Sequence, residues 1–376
     1  MDIANLSVQQ GNTVITPEDA RYHRPTLEQI DCHLARLIAA DKLQCASYLI
    51  SRQGKIFAHR AMGPLRGFAP AGTLQPDSIR PIASITKIFT AIAVLQLIER
   101  GALYLTQPVM QIIPEFNTPM HQGITLFHLL THTSGLMADP GYFREPYLRD
   151  WPGKNDHWIL EGLSGPVQAK LGKAWNYSSV GYLFLGEIVS RVSGMPYEQY
   201  VTDNIIRPLG MTRTGFDVPS DYRSQVCMVT EGEQRRLADN ASRNGRPPRS
   251  AGGLYSSLYD LWLLGQTMLE RGTFNGQRIL GRKTVEQMTS NNLPDGIPAF
   301  HWGDRYPAYQ QGLGWRVTSR NLFGSPGTFG HEGAGRCSLY IDPAEQLVAA
   351  IFVPSRIDFV PESIIGLQGM IWSGIL

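Results

Sequence analysis

The chain has 376 residues, with 34 Lys and Arg against 32 Asp and Glu for a net charge of +2, 43% hydrophobic residues and 18% charged ones. That length buries a core without disulfides or metals and leaves room for one large or two intimate domains. The charge balance excludes a dedicated nucleic-acid binder, and the hydrophobic share excludes a disordered chain.

The first twenty residues, MDIANLSVQQGNTVITPEDA, have neither a basic n-region nor an apolar h-region, so no signal peptide is expected. The longest apolar stretch, residues 88–98, is too short and too interrupted to span a bilayer. Cys32, Cys45, Cys227 and Cys337 lack CxxC spacing, which disfavours a zinc site or a redox pair. The expectation is a cytoplasmic protein with reduced thiols. Pro25-Thr26-Leu27 opens the first predicted helix. Thr26 and Gln29 have capping-box spacing, and Leu27, Ile30, Leu34 and Leu37 form a stripe. Residues 45–50, 52–55 and 56–58 read as strand, turn and strand. Residues 85–98, ITKIFTAIAVLQLI, are apolar nearly all round, as in a buried helix, and Gly101 supplies its C-terminal stop. The middle, about 90 to 245, reads as mostly helical, with Gly and Pro punctuation and no strand-rich run. Residues 337–341 and 347–353 are predicted strands around a turn at 342–346, and a last helix is expected from about Pro361.

These elements predict an α/β + α architecture. An antiparallel sheet is drawn from both chain ends and flanked by N- and C-terminal helices. Residues 1–90 and 246–376 form the α/β domain, residues 91–245 an inserted, mainly helical domain, and the site lies in the cleft between them. Two long irregular stretches are candidate binding loops or covers for core. One, 137–156, holds Tyr142, Phe143, Tyr147 and Trp151; the other, 291–309, holds Phe300, Trp302, Tyr306 and Tyr309.

Ser84-Ile85-Thr86-Lys87 places a serine at the N-terminus of the buried helix and a lysine one turn on, on the same face. Burial and the positive helix end both lower a lysine's pKa, and a neutral amine can take a serine's proton. Backbone N–H groups at the same helix end can face an oxyanion. The spacing by itself is equally that of a serine N-cap and a lysine reaching solvent.

Further stretches carry a resemblance. They are ITLFHLLTHTSGL at 124–136, WNYSSVGY at 175–182, PLGM at 208–211, AGGLYS at 251–256 and His331-Glu332-Gly333. With Ser84 to Lys87 in this order, from about Cys45 to Val353, the chain resembles the serine β-lactamase-like superfamily. That superfamily holds class C β-lactamases, DD-peptidases, family VIII carboxylesterases and related acyltransferases. The resemblance implies a Ser84 nucleophile, with Lys87 and Tyr177 managing protons and the N–H groups of Ser84 and Ala334 forming the oxyanion hole. Tyr177 matches the tyrosine of a Tyr-x-Asn motif whose asparagine is here Ser179. His331 stands where penicillin-recognising enzymes have the lysine of Lys-Thr-Gly, and a histidine is mostly neutral at pH 7. Both departures move the expected substrate from amides and β-lactams toward esters. Gly333, without a Cβ, lets a substrate approach the strand. The expected substrate-binding set is His331, Gly333, Ala334, Ser179, Trp175 and Trp315.

The expected activity is cleavage of small carboxylic esters through a Ser84 acyl-enzyme. Open alternatives are acyl transfer to an alcohol, D-amino-acid amidase, peptidase or weak β-lactamase activity, and a non-catalytic binding protein on the same fold. No cofactor, metal, nucleic-acid partner or membrane partner is expected, and the oligomeric state is undetermined. His128 and His132 have i, i+4 spacing without an acidic third ligand, so a metal site is disfavoured. The basic run 243–249 reads as a solvated loop.

Overall fold

The computed structural model describes residues 6–68, 72–137, 155–238, 247–301, 304–306, 309–317, 323–355, 357 and 360–376. Its strands in chain order are β1 (Gln9–Gln10), β2 (Ala46–Arg52), β3 (Lys55–Met62), β4 (Arg80–Pro81), β5 (Trp175–Asn176), β6 (Tyr255–Ser256), β7 (Thr273–Phe274) and β8 (Gln277–Arg278). There follow β9 (Ala299–His301), β10 (Asp304–Tyr306), β11 (Gln310–Gln311), β12 (Arg316–Val317), β13 (Phe329–Gly333), β14 (Cys337–Asp342) and β15 (Leu347–Phe352). The helices are α1 (Arg24–Ala39), α2 (Thr86–Glu99), α3 (Leu126–Leu130), α4 (Asn155–Ser164), α5 (Ser179–Ser193), α6 (Tyr197–Val201), α7 (Glu231–Ala238), α8 (Leu258–Leu269), α9 (Arg282–Thr289) and α10 (Leu367–Ser373).

Eight strands form the main sheet, in the order β1-β3-β2-β15-β14-β13-β12-β11, each pair antiparallel. Its central strands come from the two chain ends, as expected; the sheet also recruits the short β11 and β12, which the sequence left inside or beside a loop. β15 is buried along its length because both faces are covered. Leu347, Ala349 and Ile351 face the core under α1 and α10, while Val348, Ala350 and Phe352 face the core shared with α2 and α8. The period-two split of one apolar run between two cores is what a doubly covered strand requires. α8 lies close on that second face. A Cβ at Gly265 would sit 2.6 Å from Val348 Cγ1, so only glycine admits the helix to this distance.

α1 begins at Arg24, with Pro25 in its first turn and His23 as N-cap. The expected Thr26–Gln29 box is not the cap. Thr26 Oγ1 instead lies 3.1 Å from His23 Nδ1, and proline's fixed φ already suits the first turn. The final helix starts with a π-turn at Glu362–Gly366 and continues as α10. Among the described residues of the middle of the chain the helices are joined by turns, and β5 is the one named strand, pairing in parallel with β9. Every residue of α2 from Thr86 to Leu97 is buried, and Gly101 follows its end at φ +73°. Among the described residues no helix is long and apolar enough to cross a membrane.

Candidate active site

Ser84 sits in a 3₁₀ turn, Ala83–Ile85, that runs directly into α2. Ala83 before it holds φ +43°, a left-handed conformation that costs an alanine energy and fixes the turn sharply. One turn on, Lys87 has no exposed surface. Its Nζ donates to Ser84 Oγ at 3.1 Å and to the Ala251 carbonyl at 2.8 Å. The same nitrogen lies 4.8 Å from the Tyr177 ring centroid and 5.8 Å from that of Tyr182. Two π faces and a carbonyl therefore replace the water a lysine loses on burial.

Tyr177 follows β5, whose pairing with β9 places it. Trp175 N–H donates to Pro298 O at 2.8 Å and Tyr177 N–H to Phe300 O at 3.3 Å. Ser178 caps α5, its Oγ accepting from Gly181 N–H at 3.1 Å. Ser179 is the first residue of α5 and half-buried.

His132 grips Tyr177 from both sides in the chain. Asn176 N–H donates to its carbonyl at 2.8 Å and Ser178 N–H to its Nδ1 at 3.0 Å. Its ring stacks on Tyr177 at 4.7 Å, and its own φ is +56°. An accepting Nδ1 requires the neutral Nε2–H tautomer. Burial, with Lys87 as the next cause, holds its pKa well below the ordinary histidine value, which preserves that tautomer. Sequence reasoning paired this residue with His128 and missed its place in the site. His128 belongs to a capping box with Thr125 on α3, whereas His132 lies past the helix end. Thr125 and His128 have capping-box spacing, which was the signal that could have separated the two histidines. Among the described residues no cluster of His, Cys, Asp and Glu could hold a metal.

His331 on β13 is half-buried and donates from Nδ1 to the Glu332 carbonyl at 2.7 Å. Burial first, then the Lys87 charge, push its pKa down to about 3. It is therefore neutral at pH 7 and offers Nε2 as an acceptor. Gly333 ends β13 and has a packing reason of its own. A Cβ there would lie 2.3 Å from the Ile82 carbonyl, so the glycine lets β13 meet the turn that carries Ser84. Ala334 is exposed in the next turn, and Arg80 Nε donates to Gly335 O at 2.8 Å, tying that turn to β4.

Trp175 and Trp315 do not line a substrate surface, because neither has any exposed area. Trp175 stacks on Tyr309 at 3.8 Å and donates to Gln311 Oε1 at 3.3 Å, so it braces β5. Trp315 packs edge-on against Phe329 in the main core, where Gly314 presses on α2. His301, on β9, joins the cluster 4.9 Å from Tyr177 and was not singled out in the sequence. Tyr142, Phe143, Tyr147, Trp151 and Trp302 lie outside the described residues. So does most of the basic run; Arg249 at its end pairs with Asp217 at 2.9 Å and Glu198 at 3.4 Å.

A family profile described as Beta-lactamase matches residues 30–358. The chain belongs to the beta-lactamase family. This beta-lactamase family member is 30% identical over 315 residues to protein Rv1367c of Mycobacterium tuberculosis (strain ATCC 25618 / H37Rv), spanning 73% of this chain and 77% of that one. It is 26% identical over 376 residues to an Escherichia coli (strain K12) protein provisionally named a D-alanyl-D-alanine carboxypeptidase, covering 89% and 83%. It is 32% identical over 201 residues to esterase EstB of Burkholderia gladioli, covering 50% and 51%. The fold matches that of EstCE1, a hydrolase with promiscuous acyltransferase activity, at TM-score 0.77 and 17% identity over 93% of this chain and 99% of that one. The enzyme is thus a serine hydrolase with a β-lactamase-like fold.

Proposed function

We propose that this serine hydrolase cleaves small carboxylic esters through an acyl-enzyme on Ser84. The observation that carries the reading is the Lys87 nitrogen, without exposed surface, bonded to Ser84 Oγ and facing the Tyr177 ring. Lys87 and Tyr177 take the serine proton as Oγ attacks the ester carbonyl, then return it to the departing alcohol. The Ser84 and Ala334 N–H groups receive the oxyanion, a role supported by the close approach of Gly333 and Gly335 to the carbonyls of Ile82 and Pro81, just before Ser84. Water then attacks the acyl group and regenerates Ser84.

The preference for esters rests on His331. Its neutral Nε2 accepts a hydrogen bond from an alcohol or hydroxyl, but offers no fixed cation for the carboxylate of a penicillin or a peptide terminus. EstB, an esterase among the relatives, agrees with that direction. The second reading, D-alanyl-D-alanine carboxypeptidase, is supported by the name of the Escherichia coli relative.

The test is intact-mass measurement after mixing with a p-nitrophenyl short-chain ester, beside Ser84→Ala, a D-alanyl-D-alanine peptide and a cephalosporin. The expected result is one acyl adduct on Ser84 with p-nitrophenol release, both absent in the variant. Unchanged release from Ser84→Ala overturns the nucleophile. Turnover of the peptide or the cephalosporin with an inert ester overturns the substrate class.

A further inference from the structure

Two cysteines 182 residues apart meet in the interior. Cys45, just before β2, and Cys227 have their sulfurs 3.6 Å apart. Both are free thiols, with at most 1% of their surface exposed. Their surroundings are polar for so deep a site. Gln44 Nε2 lies 3.9 Å and 3.8 Å from the two sulfurs. The guanidinium of Arg80, itself 2% exposed, donates from Nη1 to the Cys227 carbonyl at 3.3 Å, and Glu233 lies 3.7 Å from its Nη2. The other two cysteines are committed elsewhere: Cys337 Sγ donates to Ile82 O at 3.1 Å, and Cys32 is exposed on α1.

We propose that Cys45 and Cys227 are a modification site, a buried dithiol that a peroxide-class oxidant converts to a reversible disulfide. The bond length of about 2.05 Å requires the sulfurs to close by about 1.5 Å. Cys227 is the attacking sulfur, because the hydrogen bond from Cys45 and the Arg80 charge both favour its thiolate. That thiolate attacks one oxygen of hydrogen peroxide, and the O–O bond breaks. The leaving hydroxide gains a proton to become water, and Cys227 is left as a sulfenic acid. Cys45 then gives up its proton and attacks the Cys227 sulfur, the S–O bond breaks and a second water departs. Each sulfur is oxidised by one electron, and one peroxide becomes two waters.

The bond would join the residue before β2 to the segment that pairs with residue 79, just before β4 and the turn that carries Ser84. Cys227 N–H donates to Ile79 O at 2.7 Å, one residue before Arg80. The oxidised form is therefore expected to resist heat better, by about 5 °C in Tm, as closing so long a loop implies.

The experiment needs no substrate. Fully reduced protein is titrated with hydrogen peroxide, free thiols are alkylated without reduction, and intact mass and peptide maps are read. The expected result is a loss of about 2 Da, one cross-linked peptide joining Cys45 to Cys227, and full reversal by dithiothreitol. Cys227→Ser is expected to leave Cys45 as an alkylatable thiol. Sulfinic acid on Cys227 beside a free Cys45, or a bridge using Cys32 or Cys337, overturns the proposal. So does the absence of any bridge at peroxide levels that oxidise the exposed Cys32.

Discussion

A buried lysine held between a carbonyl and a hydroxyl loses its reason for burial when either acceptor role ends, so substitutions around it separate chemistry from stability. Lys87→Met keeps the apolar stem and removes the nitrogen. It is expected to lower kcat by about 10²–10⁴ while Tm holds or rises, read by p-nitrophenol release and thermal melting. His132 allows a finer experiment. Asparagine keeps an acceptor for the Ser178 N–H and tolerates φ +56°, whereas phenylalanine keeps the ring and loses the acceptor. His132→Asn is therefore expected to stay within about tenfold of the parent in kcat. His132→Phe falls about 10²-fold with KM nearly unchanged, because Tyr177 shifts while the binding surface does not. Equal losses in both, tracking Tm, would show that the residue only supports packing.

At the scale of elements, α2 and the strands 46–52, 55–62, 337–342 and 347–352 were legible within a few residues, because mainly apolar runs bounded by turn residues leave few other structures open to them. Motif order singled out Ser84, Lys87, Tyr177 and His331 as site candidates; in the structure Lys87 bonds to Ser84 Oγ and faces the Tyr177 ring, and its charge bears on His331. The errors have one physical origin. Trp175 and Trp315 lie in segments the sequence singled out, but the sequence does not say whether a side chain faces a cleft or another part of the chain. The Cys45–Cys227 pair was invisible because its members lie 182 residues apart, outside any spacing rule, while the role of His132 was legible only through the capping box that claims His128. The contact of α8 with the sheet gives the test at this scale. Gly265→Val forces a Cβ into Val348 and is expected to cost about 1–3 kcal/mol, seen as a lower midpoint in urea unfolding.

For the whole molecule, five buried or half-buried histidines weaken the fold in acid. His59, His121, His128, His132 and His331 all have pKa values lowered, chiefly by burial. Below about 6.5 the unfolded chain binds protons that the folded chain refuses, so stability falls as pH drops from 6.5 toward each folded value. For His331 that window runs from 6.5 down to about 3. At pH 5, His331 is expected to remove up to about 2 kcal/mol relative to pH 7.5, and His132 acts in the same direction. Urea unfolding at the two pH values measures this, and equal free energies at both would refute it.

The pairing of β2 with β15 sets residue 50 against residue 349. During synthesis the centre of the sheet stays open until nearly the whole chain has left the ribosome, and β2 waits with one edge bare. Folding of this enzyme is thus expected to be slow and late, governed by closure of a loop of nearly three hundred residues. Nascent chains stopped short of residue 347 would carry an unpaired strand edge along residues 46–52 that is buried in the finished fold, making them substrates for chaperones and seeds for aggregation.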